Sequence, residues 1–186
     1  MFKNQWPAFL LAFVLPITLV YGWWGGFNSA HMIQTEAGPY RYAYLEYEGP
    51  ISAMRKTQKI VLEAFAKSRV IEGDTLIVLL TDPRNASGKI RAQVGYTLAL
   101  SAAVPEGLKE GMIARRPVLA AKVRAAILLA PSKAYQAMND YLQSQAGLSN
   151  QDGANQAGDI KMPTVEIFHP GDKVGETGTF TLEMNH

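Results

Sequence analysis

From Tyr40 to Met184 the sequence states one plan twice: an aromatic or apolar strand, an amphipathic helix, then two further strands. A duplicated unit of that kind builds a cleft between its halves, and clefts are where ligands bind. In the first copy, tyrosines alternate with other residues over Tyr40-Arg-Tyr-Ala-Tyr-Leu-Glu-Tyr47, a β-favouring run that Gly49-Pro50 ends. Ile51, Met54, Val61, Leu62 and Phe65 then fall on one stripe, with Arg55, Lys56, Lys59, Glu63 and Lys67 largely outside it. That spacing predicts a half-buried helix, stopped at Glu72-Gly73-Asp74. Thr75 to Leu80 is a continuous apolar run suited to a central strand, and Asp82-Pro83-Arg84-Asn85 through Gly88 is turn chemistry. Ile90, Ala92, Val94, Tyr96 and Leu98 follow on alternate positions as a third strand with one core face.

The second copy opens with a strand over Arg116 to Arg124, where Leu119, Ala121 and Val123 face one way. Pro131-Ser132 starts a helix with Tyr135, Met138 and Leu142 on one face and Ser132 as its N-cap. Gln145 to Lys161 is rich in Gly, Asn, Gln, Ser and Asp and reads as a surface loop. Val165, Ile167 and His169 alternate with Thr164, Glu166 and Phe168 in the next strand; Gly171-Asp172 turns the chain, and Phe180, Leu182 and Met184 mark the last strand. The expected class is α+β, with repeat halves at about residues 40–100 and 115–186.

With 186 residues, 48% of them hydrophobic and 18% charged, the chain can bury one core without a second domain. The net charge of +2, carried by scattered basic residues, leaves no electrostatic footprint for nucleic acid, which is not expected as a partner. Having no cysteine, the chain has no disulfide, no thiolate chemistry and no cysteine zinc site.

Trp6 to Trp24 is uncharged and close to the ~20 residues a helix needs to cross a bilayer. Trp6 at one end, with Tyr21, Trp23 and Trp24 at the other, matches rings settling at two headgroup levels. The expectation is a single-pass membrane anchor over residues 1–25, a tether over 26–39 and a ligand-binding domain over 40–186. A cleaved signal peptide and a buried core helix are the competing readings. Lys3 ahead of the span points to an inside N-terminus and a domain on the outer or periplasmic face, with the lipid bilayer and a membrane protein as partners.

Tyr44-Leu-Glu-Tyr-Glu-Gly-Pro50, Val94-Gly-Tyr96, Leu119-Ala-Ala-Lys-Val123 before Pro131, and Pro163-Thr-Val-Glu-Ile-Phe168 occur in an order that resembles the GyrI-like, or bacterial transcription-activator effector-binding, small-molecule-binding fold. With the apolar N-terminus, the chain is similar to the membrane-anchored branch of that group. The resemblance implies duplicated β-α-β-β units with pseudo-two-fold symmetry, an antiparallel sheet with two helices on one face, and a groove between the halves. It also implies aromatic rings lining that groove and a carboxylate from the penultimate strand that meets a small hydrophobic or cationic ligand. The apolar span stands where a regulator's DNA-binding helices would be, so the regulator's output is not implied.

Glu166 matches that carboxylate. A carboxylate desolvated among rings pairs with an organic cation, and each ring adds about 0.5–2 kcal/mol of cation–π attraction. Alternation alone allows the opposite reading, with Glu166 on the solvent face opposite Val165 and Ile167. Tyr40, Tyr42 and Tyr44 share a strand face with Glu46 and are candidates for an aromatic groove carrying a second acid, or for a plain sheet surface. Tyr96 and Phe168 complete the candidate set, Tyr96 with its ring in the core and its hydroxyl at the rim.

Catalytic signals are sparse. His31, His169 and His186 form no zinc or triad spacing, Ser87-Gly88-Lys89 lacks the glycines of a phosphate loop, and no cofactor is expected. Three functions stand: a non-enzymatic, membrane-tethered small-molecule-binding module; an accessory subunit of a membrane protein complex with a vestigial groove; and a hydrolase of electrophilic small molecules using Glu46 and Glu166.

Overall fold

Strand-favouring alternation and helical stripes give the strands and helices of both repeat halves in the order expected. The computed structural model describes residues 6–84, 88–149, 160–171 and 176–185. Helix α1 (Trp6–Trp23) precedes strand β1 (His31–Ala37). Next come β2 (Tyr40–Gly49), α2 (Met54–Ser68), entered through a 3-10 turn at Ile51–Ala53, β3 (Thr75–Leu79) and β4 (Ile90–Thr97). After β5 (Lys109–Ile113) the chain continues as β6 (Arg116–Arg124), α3 (Ala130–Ser149), β7 (Thr164–His169) and β8 (Thr179–Asn185). Two β-α-β-β units are therefore present, β2-α2-β3-β4 and β6-α3-β7-β8.

Among the described residues eight strands join one antiparallel sheet in the order β1-β6-β8-β7-β3-β4-β2-β5. The units meet at β3 and β7, and from either side the order within a unit reads second, third, first. A pseudo-two-fold axis thus passes between the two central strands. The outer strands obey it as well, β5 pairing with β2 and β1 with β6.

Helices α2 and α3 lie on one face, α2 on β2 and β4, α3 on β6 and β8. Under α2, Val61 and Phe65 pack on Ala43 and Tyr96; under α3, Ala134 and Met138 pack on Leu119, Ala121, Phe180 and Leu182. Burial of each large apolar side chain contributes about 1.5–3 kcal/mol. The stripe is narrower than the sequence suggests, since Ile51 and Leu62 remain exposed. Helix α2 stops at Ser68, before Glu72-Gly73-Asp74, because Arg69 turns left-handed at φ 54°.

The sheet cannot be flat. Ala37 ends β1 and Tyr40 begins β2, so the two lie within about 11 Å along the chain. In the sheet order, five strands separate them. The Tyr40 hydroxyl also donates to Glu183 Oε1 at 2.7 Å, bridging β2 and β8 across three intervening strands. A flat sheet would hold such strands about 19 Å apart at ~4.8 Å per strand. The sheet therefore curls, concave on the helix-free face and convex beneath α2 and α3.

Gly95 in β4 marks a close approach within it. A Cβ there would lie 2.2 Å from the Ala43 carbonyl oxygen of the neighbouring strand, so backbone would have to move. Gly95→Ala is expected to lower stability by about 1–3 kcal/mol, read by urea unfolding; an unchanged midpoint would refute the close packing.

Several expectations are corrected. Helix α1 has 18 residues, with Pro16 inside it removing an N–H from its hydrogen-bond ladder. Among the described residues no helix is long and apolar enough to cross a membrane. The single-pass anchor, and the outer-face placement that depended on it, do not stand. Within the stretch expected as a tether, residues 31–37 form β1. Ahead of it, the Ala126 N–H donates to Trp24 O (2.8 Å), Asn28 Nδ2 to Arg124 O (2.6 Å) and Lys133 Nζ to Gly26 O (2.6 Å). The segment is thereby fastened to the start of α3. Gln145 to Ser149, expected as loop, extends α3, and the rest of that loop up to residue 159 lies outside the described residues. Ser132 is not the N-cap: α3 starts earlier, and the Ser132 hydroxyl donates to Leu129 O at 2.9 Å.

Candidate ligand cavity between the helices

A convex sheet spreads the two helices that lie on it. Between them, over the central strands, opens a cavity of about 750 Å³. Its floor is Thr75 and Ile77 from β3, Glu166 and Phe168 from β7 and Phe180 from β8. Met54 of α2 and Tyr135 of α3 form opposing walls, and Ile51, Ser52, Arg55, Ile127, Leu128, Pro131 and Ser132 reach it from the two helix starts. The strand pairing explains the floor: Glu166 lies opposite Ile77 and Phe168 opposite Thr75. A period of two then puts Val165 and Ile167 on the other face, where they pack with Tyr42, Leu76 and Val78.

Glu166 therefore faces the helix side, the reading alternation alone left open. It keeps part of its surface accessible, as a residue lining an open cavity must. Burial pushes its carboxyl up to about 7, against a hydrogen bond from the Tyr135 hydroxyl that favours the ionised form. Burial first, and then the charge of Glu166, raise the Tyr135 phenol well above its ordinary value, so it remains a donor. Its hydroxyl also lies 3.5 Å from that of Thr164. Arg84 lines the cavity too, but Asp82 holds it at 2.7 Å.

Of the residues singled out in the sequence, Glu166 and Phe168 come together here. The others do not. Tyr40, Tyr42, Tyr44 and Glu46 share one face of β2 as expected, but it is the concave, helix-free face. The Tyr42 hydroxyl donates to Gln93 Oε1 at 2.5 Å, its ring lies 5.3 Å from that of Tyr44, and burial, then Tyr44, push its phenol up to about 12. Glu46 is exposed and pairs with Lys109 at 2.9 Å. Tyr40 and Glu183 line a separate cavity of about 510 Å³ on the concave side. Tyr96 is buried beneath α2, its ring 5.7 Å from Phe65, and does not line the cavity between the helices. Met54 and Tyr135 had been legible only as helix core positions. Arg55, outside the apolar stripe, carried no signal of the cavity until α2 was placed beside α3.

His169, at the end of β7, has Nδ1 2.6 Å from Asp74 Oδ1. Among the described residues no cluster of His, Asp or Glu is suited to hold a metal ion.

No family model matches the chain, and none of the curated proteins matches it. Solved structures do match. The fold is similar to that of a chain in the cryo-EM structure of an EcmrR–DNA complex, with a TM-score of 0.53 at 8% identity, over 98% of this chain and 68% of that one. An integron cassette protein from the mobile metagenome of Vibrio cholerae matches 85% of this chain and 99% of its own, with a TM-score of 0.49 at 8% identity. The structure of SAV2435 bound to tetraphenylphosphonium gives 0.47 at 13% identity over 84% and 92%. At such identities the likeness is one of fold alone.

Proposed function

We propose that the chain is a small-molecule-binding module whose cavity between α2 and α3 takes an amphipathic organic cation. One observation carries this reading: among the described residues a single carboxylate, Glu166, stands on the floor of an open cavity, among Tyr135, Phe168 and Phe180. An ammonium or phosphonium group placed there gains ionic and cation–π attraction where water screens little. Neutral molecules of similar size gain neither.

Isothermal titration of the full chain with dodecyltrimethylammonium, below its micelle concentration, tests it. Saturable one-site binding is the expected result, and heats no larger than dilution would dismiss the reading. The affinity is expected to depend on pH with a definite sign. The cation prefers the ionised carboxylate, and the free Glu166 carboxyl titrates at about 7. Affinity then rises by up to about ten-fold per pH unit below 7 and levels off above ~8. A flat profile between pH 5 and 8 would exclude Glu166 as the anchor.

A hydrolase of electrophilic small molecules is the second reading. It is favoured by the Glu166 carboxyl, whose proton exchanges near neutral pH beside the Tyr135 hydroxyl, as a general base requires. Turnover of an electrophilic cyclopropane, lost in Glu166→Gln while binding persists, would establish it. The openness of the cavity speaks against a groove filled by its own side chains, the feature that would favour an accessory subunit.

A further inference from the structure

The cavity carries charge of both signs, Glu166 on its floor and Arg55 on its α2 wall. The chain enters α2 through Ile51 and Ser52, and Pro131 and Ser132 lie in the first turn of α3, so both helices point their amino ends at the cavity. Neither first turn holds an acidic residue. Pro50 supplies no side-chain cap, and the Ser132 hydroxyl is turned to the Leu129 carbonyl. The positive ends of two helix dipoles thus meet the mouth with no acidic side chain in either first turn.

Arg55 adds a full charge beside them. With Ser52 and Gln58, three residues to either side, it lines the α2 wall of the cavity. It is exposed, and among the described residues it has no ion pair. Arg84, the other guanidinium at the cavity, is neutralised by Asp82 and bonded to Asn139 at 3.2 Å. A ligand with only a positive group meets repulsion at this mouth before it reaches the floor. A ligand with an oxyanion behind its cation turns that repulsion into a charge-assisted hydrogen bond.

We propose that the cavity takes a zwitterionic amphiphile, its cationic nitrogen on Glu166 at the floor and its oxyanion on Arg55 at the mouth. This rests on the organic-cation reading of the same cavity. Two probes separate the claims: dodecyltrimethylammonium and N-dodecyl-N,N-dimethylglycine share chain and cation and differ in one carboxylate. Titrated into the full chain at pH 8 below their micelle concentrations, the zwitterion is expected to bind about ten-fold tighter. Arg55→Met, at an exposed position that leaves the core intact, is expected to bring the two affinities together, and Arg55→Lys to keep part of the difference.

If the wild-type chain binds the two probes equally, or prefers the plain cation, the zwitterion proposal is overturned while the cation reading stands. The same follows if Arg55→Met keeps the preference. If neither probe binds, or binding ignores Glu166→Gln, the cation reading falls and the zwitterion proposal with it.

Discussion

Glu166→Gln is expected to weaken dodecyltrimethylammonium binding at pH 8 by about 100-fold. At that pH the carboxyl, which titrates at about 7, is largely ionised. Removing one partner of a desolvated charge pair costs about 2–5 kcal/mol, and each 1.4 kcal/mol is ten-fold. Rings of Tyr135, Phe168 and Phe180 remain, so residual binding by cation–π and apolar contact survives. The free protein shows the opposite sign. Because the folded carboxyl is raised from 4.5 to about 7, the native state holds an extra proton between those values, and stability falls as pH rises through that window. At pH 8 the ionised carboxylate costs up to about 3 kcal/mol, an upper figure since the group keeps some contact with water. The Gln variant escapes that cost, so its melting temperature at pH 8 should exceed the wild type's. The gap should close toward pH 4. Weaker binding with higher stability cannot arise from misfolding; an affinity loss under three-fold would remove Glu166 from the site.

Arg116→Met is expected to produce the largest loss of stability, about 3–5 kcal/mol. Glu183 is 3% exposed, and its carboxylate accepts from the Tyr40 hydroxyl at 2.7 Å and from Arg116 Nη2 at 3.0 Å. These bonds tie β2, β6 and β8 together across the concave face and so help hold the curl. Burial raises the Glu183 carboxyl, while Tyr40 and Arg116 pull it down. Without Arg116 it rises further, so the deficit should be greatest at alkaline pH and shrink as Glu183 takes up a proton. For a chain of this size the melting temperature should drop by about 6–20 °C. The network is not ideal, since Arg116 Nη1 is buried without a hydrogen-bond partner. Arg116→Met combined with Glu183→Leu should therefore recover most of the loss. A single substitution that shifts melting by less than 2 °C would show the pair to be incidental.

Much of this architecture was legible in the chain because it is written in local periodicity. The tyrosine run of β2 and the alternations of β4, β6 and β7 have a period of two, β3 is a continuous apolar run buried on both faces, and each lies where it was read. Misreadings fell where local pattern is silent. β1 and β5 are edge strands, exposed along most of their length, and carry little alternation. The apolar run of α1 looked long enough to span a bilayer, yet among the described residues no helix is long and apolar enough to cross one.

Local pattern also determined that Tyr40, Tyr42, Tyr44 and Glu46 share one face, and that Glu166 and Phe168 share another. Which face looks into the cavity was decided by the tertiary structure alone. The reason is physical: a strand's alternation is symmetric between its two sides. Only the placement of α2 and α3, and the curl that brings Tyr40 to Glu183, make one side a helix-lined cavity and the other the inside of a bent sheet. The sequence by itself established a doubled β-α-β-β chain with one candidate acid on its penultimate strand. Tertiary packing put that acid beneath two helix ends and Arg55, because residues over a hundred positions apart meet only when the halves share a sheet.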